Sequence, residues 1–268
     1  MTFKNLFERS HLIAAHRGNR SICPENTLSA FEASIGRCDF VELDVGFSLD
    51  GVSVVIHDDT LERTSNAREV KGFAPPYSVM DYNYAKLSEL NFSSWFAKSD
   101  PFDTISSGVI DKLEAEKLPQ QKIPTLYEAL TLLKDFQLPV NVEIKDMSNT
   151  KFDGNAVKKI IDLIKSLHME DMILLSSFNH KYLKEARQLA PEIMRAALQE
   201  EFHPENIISY LKRLDVRCYH PDAKIVTKEL VKELKEADII VNVFTVNNPK
   251  EKEKMFEYGV KSIFTDFL

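Results

Sequence analysis

The sequence predicts a single TIM (β/α)8 barrel, and three observations support this fold class. Short apolar runs alternate with amphipathic helical patterns, which is typical of parallel strands joined by crossover helices. Eight such strand–helix units fit within the 268 residues, a usual length for a barrel of this kind. Hydrophobic residues make up 44% of the chain, enough to fill one large core. We therefore treat residues 1–268 as one domain.

The expected barrel strands are short apolar runs separated by polar or turn-forming positions. Amphipathic stretches between them, such as 26–35, 126–136 and 227–237, predict helices. The first of these ends before Gly36, a residue typical of helix ends. The predicted strands are LIAAH (12–16), FVELDV (40–45), VNVEIK (140–145), MILLSS (172–177), IMRAAL (193–198), VRCYH (216–220), IIVNVFTV (239–246) and SIFTD (262–266).

One segment departs from this alternation. VSVVIHD (52–58) follows the second strand after only GFSLDG, a link too short for a parallel crossover but suited to a hairpin. We expect 52–58 to be an antiparallel strand beside the barrel mouth. Residues 60–123 then form an inserted subdomain after strand two, which includes the only tryptophan, Trp95. Long unstructured loops are uncommon in compact domains, so the insertion should contain some helix and pack near the mouth.

Charge and cysteine content exclude several classes of protein. The formal net charge of −7 argues against nucleic acid or an anionic membrane surface as a main partner. Cys23, Cys38 and Cys218 are scattered and odd in number, so they predict neither a disulfide framework nor a zinc site. We find no apolar run long enough for a signal peptide at the start or for a membrane span elsewhere. These features predict a cytoplasmic protein without stable membrane insertion.

Acidic residues lie on the inward face of two predicted barrel strands. Because side chains alternate along a strand, Glu42 and Asp44 share one face, and Glu143 shares a face with Asn141 and Lys145. Three carboxylates at neighbouring strand ends repel one another unless a cation lies among them. Oxygen ligands select a hard ion, so we predict one divalent cation, Mg²⁺ or Ca²⁺. The alternative, ordinary salt-bridged barrel charges, is weakened by the third carboxylate beside a lysine.

Two histidines fall where barrel enzymes place catalytic groups. His16 closes the first strand and His57 ends the flanking strand, and active sites of such barrels form at the C-terminal ends of strands. Histidine suits proton transfer near neutral pH, although a lone histidine is more often structural. His220 also ends a strand but lacks the acidic neighbours. Arg17 and Lys145 offer local positive charge for phosphate, unless they only pair with the nearby carboxylates.

Four further residues are candidates for substrate contact. Glu25 and Asn26 lie in the loop after the first strand, where Asn26 or Thr27 could instead cap the following helix. Phe178 and Phe244 follow or end late strands and could form an apolar wall, although most phenylalanines belong to the core.

These residues lie within motifs that resemble the glycerophosphodiester phosphodiesterase family. Each motif is weak alone, but HRG, ExD, HD and ExK together are highly specific. Two positions depart from the family pattern, since Phe244 stands where a tryptophan is usual and Lys261 where an aspartate is frequent. The motifs run in order: HRG (16–18), PENT (24–27), ELDV (42–45), VVIHDDTLERT (54–64), IPTLYEAL (123–130), VEIK (142–145), SSF (176–178), FTVN (244–247) and GVKSIFTD (259–266).

The resemblance implies a phospholipase C-like TIM barrel with an inserted subdomain after strand two. It implies metal-dependent hydrolysis of a small glycerophosphodiester to glycerol 3-phosphate and an alcohol. The implied roles are metal ligation by Glu42, Asp44 and Glu143, acid–base catalysis by His16 and His57, phosphate contact by Arg17 and Lys145, and a place in the active-site loop for Glu25 and Asn26.

Two alternative functions follow from other features. A wide apolar mouth formed by the insertion would favour lysophospholipase D-like activity on lipid substrates. A decayed barrel would leave a non-enzymatic solute-binding module. The complete set of two histidines and three carboxylates argues against the second alternative.

Overall fold

Eight parallel strands close into a barrel in the computed structural model, which describes residues 1–116 and 118–268. Only β3 lies outside the barrel, whose order is β1-β2-β4-β5-β6-β7-β8-β9, with β9 pairing back to β1. The predicted TIM barrel is therefore confirmed. In chain order the strands are β1 Leu12–Ala15, β2 Phe40–Phe47, β3 Ser53–Val55, β4 Val140–Ile144, β5 Ile173–Ser177, β6 Met194–Gln199, β7 Cys218–Pro221, β8 Ile240–Val243 and β9 Ser262–Thr265.

Helices connect the strands and surround the barrel. Between β3 and β4, three short helices belong to the insertion. The helices are α1 Phe3–Leu6, α2 Leu28–Glu32, α3 Tyr84–Leu87, α4 Ser94–Ser99, α5 Lys112–Glu116, α6 Leu126–Asp135, α7 Ala156–Ser166, α8 His180–Leu189, α9 Ile207–Leu214, α10 Lys228–Glu236 and α11 Pro249–Tyr258.

Threonine side chains set where three helices begin. Thr27, Thr125 and Thr227 each accept a hydrogen bond from a backbone N–H of the first turn of α2, α6 and α10, which satisfies a donor without a helical partner. The predicted helices 126–136 and 227–237 match α6 and α10 closely. Helix 26–35 is shorter than predicted, because the chain after Glu32 continues in tight turns to Gly36.

Two strands are four residues shorter than predicted. β8 ends at Val243 instead of residue 246, because the next residues leave the strand direction. Phe244 donates to the carbonyl of Pro221 at the end of β7 and accepts from the Ala223 N–H. The Val246 N–H donates to the carbonyl of Phe264. The hairpin strand predicted over 52–58 pairs antiparallel with β2 only over Ser53–Val55. His57 consequently lies in the loop beyond β3.

Alternation along β2 and β4 separates the core from the barrel interior. Val41, Leu43 and Val45 are fully buried in the cluster that includes α6 and α7, so the intervening acidic residues face inward. The parallel register aligns Glu42 with Asn141 and Asp44 with Glu143. Neighbouring strands thus place their carboxylates side by side.

The insertion packs on the hairpin and reaches the loop after β1. A small core joins Val54 and Ile56 of the hairpin region to Leu61, Leu87 and other apolar side chains of the insertion. At the mouth, the Thr104 hydroxyl donates to the Ser21 carbonyl at 2.7 Å. The Arg20 guanidinium lies 5.0 Å from the centre of the Phe102 ring.

The last features of the fold are the cysteines and the character of the helices. Cys23, Cys38 and Cys218 are all free thiols. Within the described residues, no helix combines the length and the apolar character needed to cross a membrane.

Candidate active site

The HRG motif forms a tight turn directly after β1. Arg17 and Gly18 both have positive φ, at 57° and 83°. A Cβ on Gly18 would lie 2.7 Å from the Cβ of Ala30, so both the space and the backbone conformation require glycine. The turn directs the Arg17 backbone N–H to Glu42 Oε2 at 2.9 Å. His16 is thereby fixed at the edge of the barrel interior.

Glu42 and Asp44 on β2 and Glu143 near the end of β4 form a buried cluster. One carboxylate oxygen from each lies within 4.8 Å of the others. Asn26 donates from Nδ2 to Asp44 Oδ2 at 2.8 Å, while Thr27 caps α2. Lys145 Nζ lies 3.1 Å from Glu143 Oε1. The structure therefore brings Asn26 and Lys145 into contact with the carboxylate cluster.

The crowding of negative charge shows in the pKa values of this cluster. Burial raises the pKa of Glu42 well above its usual value, and repulsion by Asp44 and Glu143 raises it further. Burial and the Asp44 charge raise the pKa of Glu143 as well. Burial also opposes ionisation of Asp44, but positive charge, chiefly of Arg17, holds its pKa below the usual range. Three buried hard-oxygen donors under mutual repulsion fit a divalent cation of the Mg²⁺ or Ca²⁺ type.

Each candidate histidine is held through Nδ1 by an aspartate. His16 Nδ1 donates to Asp266 Oδ1 and His57 Nδ1 to Asp58 Oδ1, both at 2.7 Å. A carboxylate on Nδ1 fixes the ring and leaves Nε2 for chemistry in the cavity. Burial lowers the pKa of His16, and the hydrogen bond to Asp266 only partly opposes this shift. By contrast, fully buried His220 is structural, with Nε2 2.9 Å from Asn242.

A buried carboxylate, Glu25, binds three arginines. Arg17 Nη1, Arg20 Nη2 and Arg63 Nη2 lie 3.0, 2.8 and 2.7 Å from its oxygens, and its side chain is 2% exposed. Burial alone would raise the pKa of Glu25, but hydrogen bonds from Arg63 and the charges of Arg17 and Arg20 lower it to about 2. Glu25 thus remains ionised and holds Arg17 beside the cavity.

Sequence reasoning missed four charged residues around the site. Arg20, Asp58, Arg63 and Asp266 contact its histidines or Glu25. Three of them lie inside quoted motifs, Asp58 and Arg63 in VVIHDDTLERT and Asp266 at the end of GVKSIFTD. Their positions in the motifs were therefore the available signal. Arg20, outside any motif, carried none.

The candidate residues surround a cavity of about 290 Å³ at the C-terminal end of the strands. One side includes His16, Arg17 and His57 with Glu42 and Glu143. Lys145 and Glu25 contact these charged side chains, and Asn26 contacts Asp44. These four residues are not part of the lining.

The other side of the cavity is lined mainly by aromatic and acidic side chains. Phe178 and Phe244 pack edge to face with centroids 5.9 Å apart, so Phe244 supplies an aromatic surface where the family usually has tryptophan. Glu200, Asp222 and Glu251 add negative charge to this side, which outweighs the one positive charge of Lys224, 3.6 Å from Asp222. The second departure from the family pattern, Lys261, precedes β9 and binds the Arg9 carbonyl at the far end of the barrel.

Comparisons with known proteins identify the family of this chain. Residues 16–268 match the glycerophosphoryl diester phosphodiesterase family. A glycerophosphodiester phosphodiesterase of Bacillus altitudinis is 35% identical over 260 residues, covering 95% of this chain and 94% of the relative. One from Caldanaerobacter subterraneus is 31% identical over 261 residues, covering 95% and 93%.

Solved structures include an Oleispira antarctica phosphodiesterase in complex with the product sn-glycerol-3-phosphate. It superposes with a TM-score of 0.80 at 27% identity, covering 98% of this chain and 95% of that one. The chain belongs to the glycerophosphoryl diester phosphodiesterase family. It is an enzyme, a phosphoric diester hydrolase, as the motifs predict.

Replacing Glu25 by glutamine should destabilise the fold by about 3–5 kcal/mol at neutral pH, because three guanidinium groups would lose their buried counter-charge. The folded pKa of about 2 lies below the unfolded value of roughly 4.3. The carboxylate's contribution is therefore complete above the unfolded pKa and is lost as the pH falls towards the folded one. Urea unfolding of the wild type and of Glu25→Gln at decreasing pH measures this. The difference between their free energies of unfolding should shrink below about pH 4.3.

The matched control is Glu62→Gln, whose partner Arg68 is exposed. It should change the free energy of unfolding by less than about 1 kcal/mol. A Glu25→Gln variant as stable as this control would contradict the role assigned to the buried carboxylate.

Proposed function

We propose that the enzyme uses one hard divalent cation, Mg²⁺ or Ca²⁺, to hydrolyse small glycerophosphodiesters to glycerol 3-phosphate and a free alcohol. The observation that carries the proposal is the cluster of three buried carboxylates within 4.8 Å, two of which, Glu42 and Glu143, line the same cavity as two aspartate-bound histidines. The Oleispira relative, crystallised with sn-glycerol-3-phosphate, supports the product. A cytoplasmic location, expected from the three unpaired cysteines, is part of the same proposal.

Glu42, Asp44 and Glu143 would hold the cation. When bound, the cation supplies positive charge to the phosphodiester and lowers the pKa of a coordinated hydroxyl. Asn26 keeps Asp44 oriented through its 2.8 Å hydrogen bond. The Arg17 backbone N–H does the same for Glu42 at 2.9 Å.

Arg17 and Lys145 would place positive charge on the free phosphate oxygens. Arg17 lines the cavity, and Glu25 and Asp44 hold its guanidinium at 3.0 and 3.3 Å. Lys145 lies 3.1 Å from Glu143 and 3.8 Å from Asp44, where it also favours ionisation of the two ligands. Charge held in place before the reaction stabilises a transition state without further reorganisation.

His16 and His57 would carry the proton transfers. One histidine takes a proton from the attacking oxygen and the other gives a proton to the leaving alcohol. No serine, threonine or cysteine of the motifs adjoins a histidine in the manner of an activated nucleophile. The attacking oxygen therefore comes from water or from the glycerol hydroxyl next to the ester, which would react within the same molecule.

The far side of the cavity suits the alcohol that leaves. Phe178 and Phe244 offer aromatic edges and faces, and Glu200, Asp222 and Glu251 add negative charge. Aromatic and acidic surroundings favour a cationic group such as choline or ethanolamine. A cavity of about 290 Å³ with charged walls favours a deacylated diester over lipid substrates of lysophospholipase D-like enzymes.

Chelation of divalent cations should abolish turnover, and Mg²⁺ or Ca²⁺ should restore it. Glu143→Gln should lower kcat by roughly 10²-fold or more while the protein stays folded, since a bound metal contributes several kcal/mol of charge stabilisation. The control is Glu253→Gln on the exposed side of α11, which should keep the normal rate. Full activity in excess EDTA would overturn the metal assignment.

His16→Ala and His57→Ala should each reduce kcat by roughly 10²–10⁴-fold, the scale of losing a positioned acid or base. Steady-state rates on glycerophosphocholine measure this loss. His168→Ala is the matched control, because His168 is exposed and distant from the cavity lining. A His57→Ala enzyme with a near-normal rate would show that the loop histidine is structural.

Glycerophosphocholine or glycerophosphoethanolamine should be turned over with a kcat/KM at least about tenfold above that of lysophosphatidylcholine, because a cavity of about 290 Å³ with charged walls is too small to bury an acyl chain. Intact phospholipid and DNA should not be hydrolysed. Choline-release and glycerol 3-phosphate-coupled assays on the same preparation give the comparison. A preference for the lysolipid would favour the lipid-directed alternative.

A further inference from the structure

A continuous chain of ion pairs and hydrogen bonds joins the two histidines around the edge of the cavity. At each end of the chain, an aspartate binds the Nδ1 atom of a histidine. In the middle, two arginines bind the buried carboxylate of Glu25. The links are His57 Nδ1–Asp58 Oδ1 at 2.7 Å, Asp58 Oδ2–Arg63 Nε at 2.7 Å, Arg63 Nη2–Glu25 Oε1 at 2.7 Å, Glu25 Oε2–Arg20 Nη2 at 2.8 Å, Arg20 Nη1–Asp266 Oδ1 at 3.6 Å and Asp266 Oδ1–His16 Nδ1 at 2.7 Å.

Arg63 makes the central connection in this chain. Its Nε and Nη2 donate to both oxygens of Asp58, at 2.7 and 2.9 Å. Its Nη1 and Nη2 donate to both oxygens of Glu25, at 2.9 and 2.7 Å. A guanidinium that binds two carboxylates side by side fixes their relative orientation, which a lysine ammonium cannot reproduce.

The insertion supports the chain at two places. Arg63 itself belongs to the insertion and acts on the His57 side. On the His16 side, the Phe102 ring covers the Arg20 guanidinium at 5.0 Å, and Phe102 packs edge to face on Phe267 next to Asp266. The insertion therefore contacts the supports of both histidines, although neither Arg63 nor Phe102 lines the cavity.

We propose that Arg63 is a positioning residue, through which the docked insertion holds Asp58 and hence the His57 ring in the orientation that proton transfer needs. The inference rests on the proposed acid–base role of His57. Arg63 does not touch the substrate, so its effect should fall on kcat more than on KM. A small misorientation of a catalytic group is enough for a large loss of rate.

The test combines two Arg63 variants with a mutant cycle. Arg63→Gln should lower kcat on glycerophosphocholine by roughly 10–100-fold, the usual scale for losing an outer-shell partner, with KM changed by less than about threefold. Arg63→Lys keeps the charge but cannot bind both carboxylates, so it should fold normally and still lose most of that rate. Arg68→Gln is the control, since Arg68 is an exposed insertion arginine paired with Glu62, and it should keep the wild-type rate.

The mutant cycle separates positioning from general damage. In a His57→Ala background, adding Arg63→Gln should cause little further loss, because residues that act as a unit are not additive. Urea midpoints check that each variant is folded. Guanidinium ion at low millimolar concentration should restore part of the Arg63→Gln rate, because the Arg63 side chain is 41% exposed and its place can be reached from solvent.

Three results would overturn the proposal: wild-type kcat in Arg63→Lys, an equal loss from Arg63→Gln with and without His57, or a change confined to KM. A normal rate in His57→Ala itself would instead refute the proposed acid–base role. Loss in His57→Ala together with a normal rate in Arg63→Gln would refute only the positioning role. The two failures are therefore distinguishable.

Discussion

Electrostatic repulsion among Glu42, Asp44 and Glu143 is the constraint on which the site depends. Parallel register places the three carboxylates side by side inside the barrel, and burial removes the water that would screen them. The protein surrounds them with compensating groups. Arg17 and Lys145 pair with the carboxylates. The Arg17 backbone N–H and the Asn26 side-chain amide also donate hydrogen bonds to the carboxylates. The remaining repulsion suits a cation, so the placement of the carboxylates and the proposed metal affinity have the same cause.

The positive charge at the mouth is itself organised by a second buried carboxylate. Glu25 holds Arg17, Arg20 and Arg63 together, so a chain of net charge −7 concentrates positive charge at the barrel mouth. Of these three arginines, Arg17 lines the cavity. Arg63 comes from the insertion, and Arg20 lies under its Phe102 ring. The insertion thus stabilises the catalytic surroundings from outside, while the barrel strands supply the groups that face the cavity.

Local patterns in the sequence were sufficient for most of the fold and for the residues on strands. Alternation in VELDV and VNVEIK assigned Glu42, Asp44 and Glu143 to one interior, and the short link before residue 52 indicated the hairpin. The early end of β8 could not be predicted, because it follows from tertiary hydrogen bonds of Phe244 and Val246. Likewise, Asp266 meets His16 and Arg20 only through long-range folding. No periodicity encodes such contacts between loops.

The most direct test of the account is the thermal unfolding midpoint of wild-type and Glu42→Gln protein at neutral pH, with and without Mg²⁺ or Ca²⁺. The raised pKa of Glu42 in the folded state means that stability falls as the pH rises above the unfolded pKa, so ionised Glu42 destabilises the metal-free fold. The account predicts that the cation raises the wild-type midpoint. Metal-free Glu42→Gln should melt above metal-free wild type and respond little to the cation. A wild-type midpoint unaffected by either ion, together with a lower midpoint for Glu42→Gln, would contradict the claim.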